Sequence, residues 1–143
     1  MHRPRLTIRP DTGLWVLARV LMAVVFLASG LAKLIDFQGG VAEMRAAGLE
    51  PAVLVNVLIA LYMLLASALL ILDRYLMLGA GLLISFLLLS ILIVHRFWAL
   101  AEPEAHLALL FALEHISLAG GLLALALASG WRKQLVCQSN CPT

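Results

Sequence analysis

The stretch "AVLVNVLIALYMLLASALLILDRYLMLGAGLLISFLLLSILIV", residues 52–94, decides the fold of this chain. It consists of two apolar runs, Ala52–Leu72 and Leu76–Val94, separated only by "DRY". Each run has about 20 residues, the length of an α-helix that crosses the hydrocarbon core of a bilayer. Backbone groups in lipid must form their hydrogen bonds within the segment, so these runs are predicted to be helices. The short connection makes the two helices antiparallel neighbours.

The rest of the chain has the same character. Of its 143 residues 64% are hydrophobic and 13% are charged, and the mean hydropathy is +1.05. Soluble domains are about half apolar and about a quarter charged. Two further apolar runs are Leu14–Leu34 and Leu107–Ala128. We therefore predict an all-α membrane protein, an antiparallel four-helix transmembrane bundle. It forms one domain, 14–128, between a basic N-terminal segment, 1–13, and a C-terminal tail, 129–143.

The connection between spans one and two, "IDFQGGVAEMRAAGLEP", has a pattern of its own. Phe37, Val41 and Met44 recur at helical spacing, which indicates a short amphipathic helix on the membrane surface before Pro51. An ordered loop explains the same residues equally well. The sequence leaves both readings open.

The basic residues predict the orientation in the membrane. An even number of spans places both termini on one side, and the basic residues of that side are Arg3, Arg5, Arg9, Arg74, Arg132 and Lys133. The opposite side has Lys33, Arg45 and Arg96. Cytoplasmic loops carry the excess of Lys and Arg, so both termini are predicted to be cytoplasmic, in a bacterial inner membrane. The net charge of +2 is thus a signal of topology and does not indicate a nucleic-acid partner.

Each span carries one stripe of polar and small residues at helical spacing. The stripes are Arg19, Ala23, Phe26, Gly30 and Lys33 in span one; Asn56, Ala60, Met63 and Ser67 in span two; Gly81, Ser85, Leu88, Leu92 and His95 in span three; Glu114, Ser117 and Gly121 in span four. Helices in membranes turn such faces toward each other, because small residues allow close approach and polar residues find partners across the interface. We therefore expect all four stripes to face the interior of the bundle.

Glu114 is the most informative polar residue, because an ionisable side chain inside a span is costly and marks a functional site by default. It lies roughly 10 Å into the outer half of the membrane, at 1.5 Å per helical residue. We expect it to pair with a cation, in the first place with Lys33. The predicted outer cluster consists of Lys33, His95, Glu114 and His115, with Asp36 at its rim. Arg19 lies near the inner face, where its side chain is expected to reach cytoplasmic water. A purely structural ion pair is an equally good explanation of the cluster.

Several of these residues carry a family resemblance. The segments "ARVLMAVVFLASGLAKLIDF", "AAGLEP", "DRY" and "LAGGLL", in a four-span layout, resemble the DoxX/DoxD family of small bacterial membrane proteins between Leu14 and Ala128. The resemblance is most specific at Arg19, Gly30 and Lys33. It implies a four-helix inner-membrane protein. Some members are linked to thiosulfate oxidation with electrons passing to quinone, others to membrane complexes with thiol- and superoxide-handling enzymes, and many have no known activity.

The tail contains the two cysteines of the chain, Cys137 and Cys141. Two thiols supply half of a tetrahedral zinc site, so no metal site is predicted, and the predicted cytosolic location disfavours a standing disulfide. A redox-active dithiol is one interpretation. The other, which the polar "QSNCPT" end favours, is a disordered tail with incidental cysteines.

Three functional hypotheses follow. In the first, the chain is the membrane subunit of a redox-linked oxidoreductase complex and binds a quinone or a small oxidised substrate in its polar cluster, without an intrinsic cofactor. Lys33 or His95 would then hydrogen-bond a carbonyl, and Glu114 or His115 would handle a proton. In the second, it is a non-catalytic anchor or scaffold for a partner protein. In the third, it forms a small permeation pathway. The sequence leaves open whether the protein is an enzyme.

Overall fold

The computed structural model describes residues 12–139, and in this part of the chain the secondary structure is helical. The helices are α1 (Thr12–Ile35), α2 (Phe37–Ala46), α3 (Ala52–Leu72), α4 (Leu76–Ile93) and α5 (Glu104–Ser139), with a single 3₁₀ turn at Phe97–Ala99. Four of them, α1, α3, α4 and α5, are long and apolar enough to cross a membrane. The predicted all-α fold with four spans is confirmed.

The central helix of the bundle is α3. It packs against α1 on one side and α4 on the other, while α5 packs against α4 and touches α1 only slightly. No Cα atom of α1 lies within 8 Å of one of α4. The contact of α5 with α1 includes Gly121, where an added Cβ would lie 3.0 Å from Cε of Met22. The four spans therefore follow one another around a ring that is weakly closed between α1 and α5.

Two glycines allow the close approach of α3 to its neighbours. A Cβ atom on Gly79 would lie 2.8 Å from the carbonyl oxygen of Ala66, and one on Gly30 would lie 3.2 Å from that of Ala60. Both obstructing atoms belong to the backbone of α3, which cannot rotate away as a side chain can. Dispersion contacts between close helices drive association in membranes, so these glycines specify which faces pack.

Helix α2 confirms the helical interpretation of the first connection. The N-cap residue of α2 is Asp36, whose Oδ1 accepts a hydrogen bond from the backbone N–H of Gly39 at 3.0 Å. Val41 and Met44 are buried, in one apolar cluster with Ala52 at the start of α3. The apolar face of α2 thus packs on the protein itself and fixes α2 beside the ends of α1 and α3.

The stripes predicted on α1 and α3 face the interior. Arg19, Ala23, Phe26 and Gly30 are buried and Lys33 is half-buried, and all four stripe residues of α3 are buried. The apolar core that they border is completed by Leu83 and Leu87 of α4 and by Leu122 and Leu125 of α5.

The predictions for α4 and α5 are wrong, because these helices turn other faces inward. Gly81 and Ser85 on α4 and Glu114 and Ser117 on α5 are exposed. The inward residues are Leu76, Gly79, Ala80, Leu83 and Leu87 on α4 and Ala108, Ala112, Leu122, Leu125, Ala126 and Ser129 on α5. The two serines donate to carbonyls of their own helices, Ser85 to Gly81 at 2.8 Å and Ser117 at 3.0 Å to the residue four positions before it. A hydroxyl satisfied in this way does not need a partner on another helix.

Helix α5 does not end at Ala128, since it continues through Ser139. The expectation of a disordered tail is therefore wrong as far as residue 139. The segment "WRKQL" consists largely of good helix formers. In addition, Ser129 and Lys133 both donate hydrogen bonds to Asp73 in the α3–α4 turn, which holds this part of α5 against the bundle.

Candidate functional site

Three separate clusters of polar side chains occur within residues 12–139. The first surrounds Asp73, which ends α3 in the left-handed conformation, at φ 58°. Its carboxylate accepts hydrogen bonds from Nε1 of Trp15 at 2.8 Å and from Oγ of Ser129 at 3.1 Å. Nζ of Lys133 donates to its backbone carbonyl at 3.2 Å. One residue in a two-helix turn thus binds the beginning of α1 and the end of α5, and we call this group the Asp73 cluster.

Arg19 belongs to the Asp73 cluster. Its guanidinium lies 3.6 Å from Oδ2 of Asp73 and donates at 2.7 Å to the carbonyl of Ile71, one of the last carbonyls of α3, which have no partner within the helix. The residue is only 8% exposed. The prediction that Arg19 reaches water is therefore wrong, because a counter-charge and a helix end are available within the bundle. Arg19 caps α3.

A cleft of about 260 Å³ opens beside this cluster and is lined by Asp73, Ser129, Arg132 and Lys133. The guanidinium of Arg132 stacks over the Trp15 ring, 4.7 Å from its centroid. Among residues 12–139, Arg132 has neither a hydrogen bond nor an ion pair. The N–H groups of its guanidinium are therefore available to a ligand.

The second cluster lies at the opposite ends of α1 and α3. Lys33 forms an ion pair with Glu43 of α2. A cleft of about 220 Å³ beside it is lined by Lys33, Asp36 and Glu43, with Ser29, Ala32 and Gly40. Asn56 donates to the carbonyl of Lys33 at 3.0 Å, and its buried Oδ1 has no partner in the described chain. This cluster ties α2 to the bundle.

The third cluster lies between the end of α4 and α5, and we call it the histidine pair. The rings of His95 and His115 meet edge to face, with centroids 4.9 Å apart. Phe111 stacks on His95 at 5.1 Å. Nδ1 of His115 is buried and has no hydrogen-bond partner in the described chain. Two imidazoles and a phenyl ring thus form an aromatic surface in an otherwise apolar region, with one polar atom left unsatisfied.

Glu114 lies beside the histidine pair but points away from the interior. Its side chain is exposed on the face of α5 that points away from the bundle. No ion pair to it occurs within residues 12–139. The predicted pair of Lys33 with Glu114 is therefore wrong. Lys33 instead forms its ion pair with Glu43, ten residues along the chain, because α2 packs against the end of α1. Adjacent helical residues are 100° apart, so burying His115 against α4 turns Glu114 outward.

The six predicted site residues are thus distributed over all three clusters. His95 and His115 come together as expected, Lys33 and Asp36 line the cleft beside α2, and Arg19 belongs to the opposite end of the bundle. Cys137 is an exposed free thiol on α5, and Cys141 lies outside the described residues.

Two further residues, Asp73 and Glu43, were missed by the sequence analysis. The "DRY" segment was interpreted only as a turn, although Asp11 and Asp73 are the only acids predicted on that side of the membrane. A search there for the counter-charge of Arg19 would have found Asp73. Glu43 was assigned to a surface connection, where a carboxylate needs no explanation.

Four long apolar helices around an apolar core, with polar clusters toward their ends, define a multi-pass helical membrane protein. Within that class, the chain belongs to the DoxX family, whose sequence profile matches residues 14–96. The match covers α1 to α4 and ends one residue after His95, so α5 with Glu114 and His115 lies beyond it. No protein of curated function and no solved structure shows significant similarity to the chain.

Proposed function

We propose that this DoxX-family protein is the membrane subunit of a redox-linked assembly and binds a quinone at the histidine pair. The observation that carries the proposal is the buried, unpartnered Nδ1 of His115, next to the stacked rings of His95 and Phe111. A buried polar atom without a partner costs about 1–3 kcal/mol. A carbonyl or hydroxyl oxygen of a ligand would satisfy it, and the aromatic rings offer a flat surface to a flat head group.

The surface of the histidine pair faces the side from which a lipid-soluble molecule would arrive. Phe111 is 39% exposed and Glu114 is exposed, whereas His95 and His115 are half-buried. Reduction of a quinone takes up two electrons and two protons. The electrons would come from a partner oxidoreductase. In this chain His95 or His115 would hydrogen-bond an oxygen of the head group, and Glu114 would hold or deliver a proton.

The proposal includes the location of the protein. The excess of Lys and Arg at the end of the bundle with the termini favours a cytoplasmic location of that end, in a bacterial inner membrane. The histidine pair would then lie in the outer half of the bilayer. The partner would donate electrons to the quinone bound in the outer half of the bilayer, or the two proteins would exchange electrons through the quinone pool.

The experiment measures the quinone bound to the purified protein. The chain is extracted in a mild detergent, and quinone is quantified against co-purified phospholipid for the wild type, His115→Phe and His95→Phe. The phenylalanines keep an aromatic ring and remove both ring nitrogens. The control is His106→Phe, since His106 is exposed near the start of α5. We expect quinone enrichment in the wild type and the control, and its loss in the two pair variants. The same quinone-to-phospholipid ratio in all four proteins would refute the proposal.

A second function, that of a membrane anchor for a partner protein, is favoured by one observation. Glu114 is exposed in the outer half of a span, and a charged group that faces lipid is costly, up to about 3 kcal/mol at the bilayer centre by insertion scales. A helix of a partner that covers Glu114 would remove this cost. A photo-crosslinking residue at Ser117, one turn away, should then capture a single membrane protein, whereas one at the exposed Leu58 on α3 should not. Capture at both positions alike would count against an anchor.

A further inference from the structure

We propose that the cleft beside the Asp73 cluster binds a phosphate group, most readily that of an anionic phospholipid. The cleft is lined by Ser129, Arg132 and Lys133 together with Asp73. It is independent of the histidine pair and lies at the other end of the bundle, where α1 begins and α5 continues past its apolar part.

The charge balance of the cleft carries the argument. Asp73 is the carboxylate among its lining residues, and both of its oxygens are engaged, Oδ2 by Trp15 and Arg19, Oδ1 by Ser129. The charge of Arg19 compensates that of Asp73. Lys133 donates only to a neutral backbone carbonyl, and Arg132 has no anion within residues 12–139. The two positive charges of the cleft, Arg132 and Lys133, therefore have no counter-ion within residues 12–139.

The position of Arg132 suits an anion with two or more oxygens, such as a phosphate. Its guanidinium carbon lies 4.7 Å from the centroid of the Trp15 ring, a cation–π contact that holds the group beside the cleft before any ligand arrives. A planar guanidinium donates two parallel hydrogen bonds to a phosphate, and a lysine ammonium adds a point charge. The cleft volume of about 260 Å³ exceeds the roughly 30 Å³ that a water molecule takes up in the liquid, so a tetrahedral anion has room.

The position along the bundle favours a lipid as the source of the phosphate. Tyr75 and Trp131 are exposed at the same end, and aromatic residues of this kind lie at the level of the lipid head groups. Basic pockets between transmembrane helices bind anionic head groups at that level. Free phosphate from solution could reach the same residues, so the two sources have to be distinguished by experiment.

Binding can be followed through the fluorescence of Trp15, which forms one wall of the Arg132 stack. The protein carries Trp98→Phe and Trp131→Phe, both exposed residues, so that Trp15 is the remaining tryptophan. It is reconstituted in phosphatidylcholine vesicles that contain increasing fractions of phosphatidylglycerol with brominated acyl chains. The measured quantity is the quenching of Trp15 fluorescence by these chains. The same series with brominated phosphatidylcholine in unbrominated phosphatidylglycerol gives the relative affinity of the two lipids.

The variants are Arg132→Gln and Lys133→Gln, and the matched control is Arg74→Gln. Arg74 has the same charge at the same end but stacks on Tyr75 and does not line the cleft. Each basic residue near a membrane surface is worth about 1 kcal/mol, which is about fivefold in affinity. We expect the preference for phosphatidylglycerol to fall at least about fivefold in each cleft variant, and by clearly less in the control. Arg132→Lys should recover only part of the loss, because it restores the charge but not the planar pair of donors.

Competition by soluble anions distinguishes the sources. Glycerol phosphate or inorganic phosphate is added to the wild type in phosphatidylcholine vesicles, and the change in Trp15 fluorescence is measured. The reference is a chloride buffer without sulfate at the same ionic strength. Lipid preference without a response to either anion supports a lipid site, and a saturable response without lipid preference supports a free-phosphate site. Equal losses in Arg74→Gln and the cleft variants, or no response to any phosphate, would overturn the proposal in favour of diffuse surface attraction.

Discussion

Replacement of Asp73 by Ala, Gly and Asn measures how strongly one turn residue holds the ends of the bundle together. In Asp73→Ala the carboxylate bonds to Trp15 and Ser129 are lost, and Arg19 loses its counter-charge. Arg19 is 8% exposed and retains the carbonyl of Ile71 and the Trp15 ring, neither of which carries a negative charge. Removal of one partner of a buried ion pair costs about 3–5 kcal/mol. Because the Asp73 side chain is 30% exposed, we expect the lower limit, about 3 kcal/mol.

The other two substitutions separate the causes of this loss. Asp73 is left-handed at φ 58°, and this conformation costs an alanine roughly 1–2 kcal/mol but a glycine almost nothing. Asp73→Gly should therefore be about 1 kcal/mol more stable than Asp73→Ala. Asp73→Asn keeps the shape and one acceptor oxygen but removes the counter-charge of Arg19, so its loss should lie between about 1 kcal/mol, for a weakened hydrogen bond, and that of Asp73→Ala. Arg19→Met made together with Asp73→Ala should recover part of the loss, since no buried charge then remains unpaired.

The assay is reversible unfolding in mixed micelles of a mild detergent and dodecyl sulfate, followed by circular dichroism of the helices. Tryptophan fluorescence is unsuitable here because Trp15 contacts the altered residue. Glu104→Ala, an exposed acid at the start of α5, is the control and should stay within about 0.5 kcal/mol of the wild type. An Asp73→Ala protein as stable as this control would refute the network argument. Equal stability of the Ala and Gly variants would refute the argument from the left-handed backbone.

Three further predictions use other parts of the molecule. Gly79→Ala should destabilise the bundle by about 1–3 kcal/mol in the same unfolding assay, because its Cβ would lie 2.8 Å from a backbone oxygen of α3, whereas Gly81→Ala meets open space and should be neutral. In intact cells, an impermeant thiol reagent should label a cysteine at Gln38 and spare one at Thr7, in a protein without its native cysteines; labelling of Thr7→Cys alone would reverse the topology. Truncation after Lys133 removes the last helical residues of α5 and should leave the unfolding midpoint unchanged, since Lys133 is the last residue with a described bond to Asp73. Loss of the bundle would show that the final turns of α5 are structural.

Length and hydrophobicity determined the number, the type and nearly all the limits of the spans. The limits of α3 were predicted to the residue, and α4 ends one residue before the predicted Val94. This succeeded because the bilayer imposes one requirement, a helix of about 20 apolar residues, that a sequence alone can satisfy. The small and polar stripes of α1 and α3 were also predicted. The reason is that the two helices pack closely through these stripes, with Gly30 of α1 against the backbone of Ala60 on α3.

The tertiary structure alone decided which face of α4 and α5 turns inward and which charges meet. Both helices are apolar almost all round, so periodicity did not distinguish an inward stripe from an outward one, and serines bonded to their own helix removed the expected signal. The partners of Lys33 and Arg19 lie in a connection and a turn, where Glu43 and Asp73 had no apparent need of a partner. Charge pairing depends on how α2 folds back and how α3 ends, which are properties of packing and not of span composition. The predicted outer cluster included His95 and His115, because two antiparallel neighbours bring them to one depth. The outward turn of Glu114 followed only from the rotation of α5.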